Sequence, residues 1–369
     1  MRIKKIQIKN FKSLVDFELE DLKPFCAFVG PNASGKSNIF EALEFTNYVA
    51  KFSLEAASFF GGPQNIVSFS NKQVDKTGKT RNVIYFDIIF ADEIRINFAT
   101  HFAEKLQEKH SQAMVSVGRY LSDDQLGLPL LPVFEIKDLK ERDEFLIEWE
   151  KVKREYENDF EYFIDNFSRI FIGKSSLKRT PDINGKLAPD ASNLSQVIGK
   201  VFEEESARTD FVSWLRILIP EFKNIEIKQS NIDGSFEFFI YEKSSNKPFP
   251  KHLISDGTYN ILALMAAVYQ TNEPQFLCIE EPENGLHPQA IQLLVDFFRE
   301  KCEEHGHYIW LNTHSQTLVR CLEIDEIILV NKVDGETKAK QLTKEDNIDL
   351  KTDEAWLSNA LGGGILWSK

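Results

Sequence analysis

The sequence predicts an α/β fold in which helices flank a mostly parallel core sheet, with an antiparallel side sheet and a helical insertion. Three apolar runs carry this prediction, because each leads directly into a polar motif. Residues 25–29 precede a glycine-rich run, residues 276–279 precede two glutamates, and residues 308–311 precede Asn-Thr-His-Ser. Apolar strands that alternate with helical segments are typical of a parallel sheet, so these runs are the expected core strands.

The first hundred residues are expected to contain four further strands. Residues 3–8 and 15–19 predict two short strands joined by a turn that contains Lys12. Residues 83–91 and 94–98 are rich in β-branched and aromatic side chains, so they predict an antiparallel pair in the side sheet.

The glycine-rich run fits the pattern G-x-x-x-x-G-K-[ST] and lies between a strand-like segment and a helix-like segment. That context identifies a nucleoside-triphosphate loop, in which backbone N–H groups and the helix dipole face the phosphates. Lys36 is expected to reach the β- and γ-phosphates, and Ser37 is expected to hold Mg²⁺. The predicted nucleotide-binding residues of the loop are Gly30, Pro31, Asn32, Ala33, Ser34, Gly35, Lys36, Ser37 and Asn38.

Two adjacent carboxylates end the second apolar run. A buried strand that ends in acidic residues can hold Mg²⁺ and its water ligands beside a triphosphate. Glu280 is therefore predicted to serve the metal, and Glu281 to polarise the attacking water.

His314 follows the third apolar run, which comes one helix after the two glutamates. In a parallel sheet these strand ends lie at the same edge, so His314 is predicted to contact the γ-phosphate. Ser255, Asp256 and Gly257 stand before a predicted helix at residues 259–269, which makes them a further anion site. Taken alone, Ser-Asp-Gly is also a common turn.

The middle of the chain has a different character. Aromatic and charged residues recur at helical spacing between residues 137 and 171 and predict a helical insertion. The predicted organisation is an N-terminal part of an ATPase head at residues 1–100, a mainly helical insertion at 101–205, and a C-terminal part of the head at 206–369.

Composition excludes several classes of protein. The net charge of −13 and the pI near 5.2 argue against a generally basic, DNA-coating surface. No run approaches the roughly 18 apolar residues of a membrane span, and the N-terminus resembles a strand rather than a secretion signal. The four cysteines form no C-x-x-C pair, so a cytoplasmic protein without a zinc site is expected.

The order of these motifs resembles that of ABC-type ATPase heads. The motifs are the phosphate loop, Ser-Asp-Gly-Thr at 255–258, Glu-Glu-Pro-Glu-Asn-Gly-Leu-His-Pro at 280–288 and Thr-His-Ser at 313–315. More narrowly, the chain resembles the RecF/SMC-like branch and the AAA-family ATPases of the overcoming-lysogenisation-defect (OLD) group, with its anti-phage relatives. Ile-Lys-Asn-Phe-Lys-Ser at 8–13 matches the first strand and turn of that branch.

This resemblance implies an ABC-ATPase-like P-loop fold and Mg²⁺-dependent hydrolysis of ATP to ADP and phosphate. It also implies a head-to-head homodimer, in which each ATP lies between one phosphate loop and Ser255, Asp256 and Gly257 of the other head. Gln64 is the expected glutamine-loop residue near the metal. Lys12 is expected to approach phosphate, although a solvated lysine is an equal alternative. Two departures from the resemblance are Asp256 in place of glycine and Glu280 in place of aspartate.

Two functions remain open on the sequence. One is a switch in anti-phage defence that controls a separate effector such as a nuclease or toxin, because no nuclease module follows residue 330. The other is a DNA-repair or chromosome-handling ATPase, which leaves nucleic acid open as a partner. An ABC transporter subunit is disfavoured, because the opening turn and the Glu-Pro-Glu-Asn segment fit the non-membrane branch.

Overall fold

The structure is a computed structural model of the chain. It describes residues 3–52, 56–62, 65–68, 83–90, 94–101, 112–122, 125–129, 134–136, 163, 165–172, 185–230, 234–346, 351–358 and 360. The strands described are β1 (Ile3–Phe11), β2 (Leu14–Glu20), β3 (Phe25–Val29), β4 (Val83–Phe90), β5 (Ile94–His101), β6 (Gln112–Ser122), β7 (Gln125–Pro129), β8 (Phe134–Ile136), β9 (Phe167–Ile170), β10 (Phe222–Gln229), β11 (Phe236–Glu242), β12 (Phe249–Pro250), β13 (Phe276–Glu280), β14 (Tyr308–Thr313), β15 (Ile327–Val333) and β16 (Glu336–Gln341).

The helices described flank these strands. They are α1 (Lys36–Phe52), α2 (Ala56–Phe59), α3 (Leu194–Val201), α4 (Glu205–Leu218), α5 (Asp256–Tyr269), α6 (Pro288–His305), α7 (Gln316–Arg320) and α8 (Thr352–Leu357). Short 3₁₀ turns lie at Lys251–Leu253, Ile324–Glu326 and Lys344–Asp346. We find no helix in these described segments with the length and hydropathy to span a membrane.

A six-stranded core sheet has the order β16-β15-β3-β14-β13-β9. All neighbours are parallel except β15 and β16, which form an antiparallel hairpin. The register pairs Glu280 with Asn312 and Val29 with Thr313. The carboxyl ends of β13, β14 and β3 therefore meet at one edge, where each strand leads into a predicted motif.

The core strands bury side chains on both faces, because successive side chains of a strand point in opposite directions. Phe28, Trp310 and Cys278 belong to the apolar core on one side of the sheet, together with α1 and the side sheet. Ala27 and Leu311 belong to the core on the other side, together with α5 and α6. This burial on both faces explains why the core strands are continuous apolar runs.

The antiparallel side sheet is larger than predicted. Its order is β2-β1-β4-β5-β6-β7, with β8 paired to β6. The predicted strands at residues 3–8, 15–19 and 94–98 lie within it, as do residues 83–90 of the strand predicted at 83–91. A third, three-stranded sheet has the order β10-β11-β12.

The segment at residues 101–205 is predicted to be mainly helical. Its described residues contain the strands β6, β7, β8 and β9 as well as the helix α3, and the helical character of the whole segment stays a prediction. The strand β9 also falls inside the stretch whose aromatic spacing predicted a helix. Its ladder partner is β13, which lies far away along the chain, so local spacing does not record the pairing. The boundaries at 100 and 205 remain a prediction, and residues 137–162 lie outside the described part.

Candidate functional site

The phosphate loop joins β3 to α1 in a conformation that only glycine fits at two positions. A Cβ on Gly30 would lie 2.1 Å from the carbonyl oxygen of Val330 on β15. Gly35 has a φ of +100°, and a Cβ there would lie 1.8 Å from Oγ1 of Thr337. The two glycines of the motif are therefore required by close packing of β15 and β16 behind the loop as well as by backbone geometry.

A buried polar cluster holds the loop from behind. The Thr337 hydroxyl donates to the Ser34 carbonyl at 3.0 Å and lies 2.6 Å from Oγ of Ser13. Asn38 Nδ2 donates to the same Ser13 Oγ at 2.6 Å. Asn38, which was predicted to contact nucleotide, thus directs its side chain to the turn between β1 and β2. Sequence reasoning missed Ser13 and Thr337, because neither belongs to the loop motif.

Lys36 and Ser37 begin α1 at the open edge of the sheet. Nζ of Lys36 donates to the carbonyl oxygens of Gly30 and Pro31 at 2.7 and 2.8 Å, so the buried ammonium lies inside the loop. Oγ of Ser37 donates to Glu280 Oε2 at 2.8 Å and accepts from Asn312 Nδ2 at 3.2 Å. The structure therefore brings together the hydroxyl and the carboxylate that the sequence predicted at the metal.

Glu280 takes part in a buried charge cluster that the sequence did not predict. Nε of Arg169, on β9, donates to Glu280 Oε1 at 2.8 Å, and its Nη1 donates to Glu44 Oε2 on α1 at 2.9 Å. Burial alone lowers the pKa of Arg169, but Glu44, Glu280 and Glu41 outweigh burial and raise that pKa above its usual value. The guanidinium therefore stays charged. The signal in the sequence was a single arginine inside an apolar segment.

Glu281 and His314 lie next to each other at the ends of β13 and β14. Glu281 has a φ of +49°, and its backbone N–H donates to the Asn312 carbonyl at 2.8 Å. Oε1 of Glu281 is 3.6 Å from Nδ1 of His314, and Oε2 accepts from Asn284 Nδ2 at 2.9 Å. A left-handed backbone at a non-glycine residue is strained, and such residues cluster at functional sites.

A second glutamate lies buried beside this pair. The Thr313 hydroxyl donates to Glu283 Oε1 at 2.5 Å, and Glu283 Oε2 has no hydrogen-bond partner. Burial raises the pKa of Glu283 to about 7, against the lowering effect of the Thr313 hydrogen bond. The Thr313 hydroxyl also accepts from the N–H of Ser315 at 2.9 Å. Glu283 therefore connects its own turn, the acidic turn at residues 281–286, to the turn that carries His314.

Ser255, Asp256 and Gly257 form the N-terminus of α5. Oγ of Ser255 accepts from the Thr258 N–H at 3.2 Å, and both Ser255 and Asp256 are exposed. Gly257 packs closely against the end of the acidic turn, since a Cβ there would lie 2.6 Å from the Gly285 carbonyl oxygen. The predicted anion site is therefore an exposed helix N-terminus that contacts the acidic turn of the same chain.

Lys12 lies beside the buried charge cluster, because its partner Glu41 also contacts Arg169. Lys12 has a φ of +49°, and its ammonium pairs with Glu41 on α1. The lysine is thus engaged by a carboxylate rather than solvated. Gln64 lies outside the described residues.

The residues at the loop fit a magnesium–nucleotide complex. Ser37 and Glu280 supply hard oxygen atoms 2.8 Å apart, which suits Mg²⁺. The described residues contain no group of three or more histidine, cysteine or acidic side chains that could form a metal cage. Mg²⁺ commonly uses one or two protein ligands together with water and substrate phosphates, and Ser37 and Glu280 would supply two.

The comparisons with protein families match this fold and site. A family described as "AAA domain, putative AbiEii toxin, Type IV TA system" matches residues 125–320, and one described as "AAA ATPase domain" matches residues 1–176. The fold and the site define a P-loop ATPase. The first family match covers more than half of the chain, and the chain belongs to that AAA family.

Individual relatives agree with the family assignment. The chain is 20% identical over 367 residues to an ATP/GTP phosphatase of Helicobacter pylori. The alignment covers 93% of each protein. It is 54% identical over 43 residues to the chromosome partition protein Smc of Methanocaldococcus jannaschii, a match that spans 12% of this chain and 4% of that protein.

Two solved structures show the same fold. They are the SMC head domain from Thermotoga maritima, with a TM-score of 0.50, and the SmcHead bound to the C-winged helix domain of ScpA, with a TM-score of 0.51. Both are 16% identical to this chain; they cover 93% and 94% of it, and 100% and 98% of their own chains. The motif-based resemblance is confirmed, and the protein is an ATPase of the AAA class.

Proposed function

We propose that this ATPase is a two-state switch: ATP joins two copies head to head, and the closed dimer controls a separate effector protein. The observation that carries the proposal is the assembly of Ser37, Glu280, Glu281 and His314 where adjacent parallel strands end. A site built from several segments of the chain can detect the γ-phosphate, because each segment contacts a different part of the nucleotide.

Within one head, each side chain has a proposed task. Lys36 and the N–H groups of the loop bind the phosphates, while Ser37 and Glu280 hold Mg²⁺. The metal supplies positive charge that offsets the charge developing on the transferred phosphoryl group. Glu281 orients and polarises the attacking water, and His314, 3.6 Å from that carboxylate, faces the γ-phosphate.

The second head supplies the rest of the site. Ser255 caps a 14-residue helix whose first turn contains Asp256 and Gly257, and Ser255 and Asp256 are exposed. The positive end of that helix dipole suits a phosphate presented by another molecule. Asp256 brings a negative charge to the same turn, so we expect Mg²⁺ and Lys36 of the opposite loop to be needed for closure.

Anti-phage defence is the proposed biological role. It is supported by the family description, which includes a toxin of a type IV toxin–antitoxin system, and by the resemblance of the motifs to the OLD group. The solved SmcHead with the winged-helix domain of ScpA is an example of a head of this fold that binds another protein. The proposed effector is a nuclease or toxin encoded on another chain.

The solution mass of Glu281→Gln, with and without Mg-ATP, tests the switch. We expect ATP binding, little hydrolysis and an ATP-dependent doubling of mass, because glutamine keeps the size of the side chain but cannot activate water as a carboxylate does. Lys36→Ala is the control and should neither bind ATP nor change mass. Glu281→Gln that binds ATP and stays monomeric would contradict the paired-head proposal.

A second candidate function is DNA handling. The short match to the chromosome partition protein Smc favours it, whereas the net charge of −13 does not. Binding of double-stranded DNA by the Mg-ATP form, with a steep log–log dependence on salt, would support this candidate. Absence of such binding at low salt would leave the effector switch.

A further inference from the structure

Arg169 holds one oxygen of Glu280 and leaves the other directed at Ser37. Nε and Nη2 of Arg169 both contact Glu280 Oε1, the former at 2.8 Å. Oε2 of the same carboxylate accepts from Ser37 Oγ at 2.8 Å. The two oxygens of Glu280 therefore have separate partners: an arginine on β9 and the hydroxyl at the start of α1.

We propose that Arg169 is a positioning residue that fixes Glu280 at the Mg²⁺ site and thereby sets the Mg²⁺ concentration that the ATPase needs. The inference rests on the proposed role of Glu280 at the metal. Arg169 acts through that carboxylate, as outer-shell partners do when they orient a ligand and keep its charge in place.

The guanidinium is itself fixed from its other side. Nη1 donates to Glu44 Oε2 at 2.9 Å and lies 3.5 Å from Glu41 Oε1. The ring of Phe171 lies 5.2 Å from the guanidinium carbon. Both Glu44 and Glu41 belong to α1, the helix that also carries Ser37, so Arg169 connects the two segments that hold the proposed metal.

Burial makes these contacts strong and specific. Arg169, Glu44 and Glu280 are 8%, 5% and 6% exposed. In such surroundings charges are poorly screened, and a carboxylate without its partner would be costly. Arginine presents its donors in a rigid plane, whereas lysine offers a point charge on a flexible stem, so lysine cannot maintain contacts on both sides at once.

The side chain of Glu280 is longer than that of aspartate, so its carboxylate has more rotational freedom for Arg169 to restrict. Glutamate has one more rotatable bond than aspartate and loses more side-chain entropy when it is ordered. In this structure that extra length lets the carboxylate lie between Arg169 and Ser37. Arg169 restricts the rotation before the metal binds, which lowers the cost of ordering the ligand on binding.

A Mg²⁺ titration of Arg169→Lys tests the inference with two measurements. One is the Mg²⁺ concentration that gives half-maximal ATP hydrolysis. The other is the affinity for a fluorescent ATP analogue, measured in EDTA and at increasing Mg²⁺. We expect the half-saturating Mg²⁺ concentration to rise about tenfold or more, as for loss of an outer-shell partner. Affinity in EDTA should stay within about twofold of wild type, a small change against the tenfold effects of outer-shell loss.

The control is a second arginine–glutamate pair away from the loop. Arg299 Nε and Nη2 donate to Glu326 Oε1 and Oε2, both at 2.7 Å. Arg299→Lys makes the same chemical change at a side chain that contacts neither Glu280 nor α1 in these bonds, and it should keep the wild-type Mg²⁺ requirement. A similar rise in Arg299→Lys would mean that general destabilisation is responsible, and would overturn the inference.

Two further variants keep the outcomes distinct. If Arg169→Lys does not fold, Glu44→Gln weakens the other anchor of the guanidinium, and it should raise the Mg²⁺ requirement by a smaller factor. An unchanged requirement in whichever variant folds overturns the role of Arg169. Glu280→Gln tests the proposed function separately: if it needs no more Mg²⁺ than wild type, the metal role of Glu280 fails. If Glu280→Gln needs more Mg²⁺ and Arg169→Lys does not, only the inference about Arg169 fails.

Discussion

Replacing Glu283 by glutamine is expected to remove a pH-dependent loss of stability. Burial raises the pKa of Glu283 to about 7, compared with 4.5 for the ordinary group. Because the folded-state pKa is the higher one, the protonated form favours the fold. Its contribution is complete below about pH 4.5 and is lost as the pH rises through about 7.

The magnitude follows from the difference between the two pKa values. At about 1.4 kcal/mol per pH unit, the difference between about 7 and 4.5 corresponds to about 3 kcal/mol in full. Between pH 5 and pH 8 the expected loss from this one group is about 2 to 3 kcal/mol. In Glu283→Gln the side-chain oxygen can still accept from Thr313, and the amide is neutral at every pH of the experiment.

Urea unfolding of the nucleotide-free protein at pH 5 and pH 8 measures this effect. The free energy of unfolding of wild type should fall by about 2 to 3 kcal/mol more than that of Glu283→Gln between these pH values. Other titrating groups are common to both proteins, so their contributions cancel in the comparison. Glu345→Gln, at an exposed position, is the matched control. Equal pH dependence of wild type and Glu283→Gln would refute the reasoning.

Two further predictions concern the loop and the signature turn. Gly35→Ala should cost about 2 to 4 kcal/mol and abolish ATP binding, because its φ is +100° and its Cβ would overlap Thr337. Gly335→Ala, with a φ of +85° and open space around it, should cost only about 1 kcal/mol and bind ATP normally. Equal losses of stability in the two variants would contradict the packing argument. Ser255→Arg should bind ATP with wild-type affinity but neither dimerise nor hydrolyse it at the wild-type rate. Full ATPase activity in Ser255→Arg would argue against a site shared between two heads, and Ser255→Ala separates the loss of the helix cap, about 1 kcal/mol, from added bulk.

The sequence by itself determined the class of fold and the main motifs. The phosphate loop, the Glu280–Glu281 pair and His314 each follow an apolar run that forms a core strand of the predicted type. These features could be predicted because their chemistry depends on residues that are adjacent in the chain. A strand that leads into a turn and a helix fixes where the polar side chains lie, whatever the rest of the protein does.

The pairing of strands that lie far apart in the chain could not be predicted from the sequence. The strand β9 lies at the edge of the core sheet because β13 supplies its hydrogen bonds, and β6 joins the side sheet through β5. Phe163 and Phe167 of the aromatic pattern are buried, but the spacing does not identify the partner of the β9 backbone. A helix satisfies its backbone within one segment, whereas a strand depends on a partner that local spacing does not identify.

Tertiary structure alone decided which side chains support the site. Arg169 reaches Glu280 because β9 lies beside β13, and Thr337 reaches Gly35 because the β15–β16 hairpin packs behind the phosphate loop. The same packing brings Asn38 to Ser13 and Lys12 to Glu41, and their predicted contacts with nucleotide stay predictions. The sequence encodes the residues that are proposed to contact the nucleotide as continuous motifs. The residues that orient these motif side chains lie far apart in the sequence. Buried charges and hydrogen-bond donors need partners, and the order of strands in the sheet decides which segments supply them.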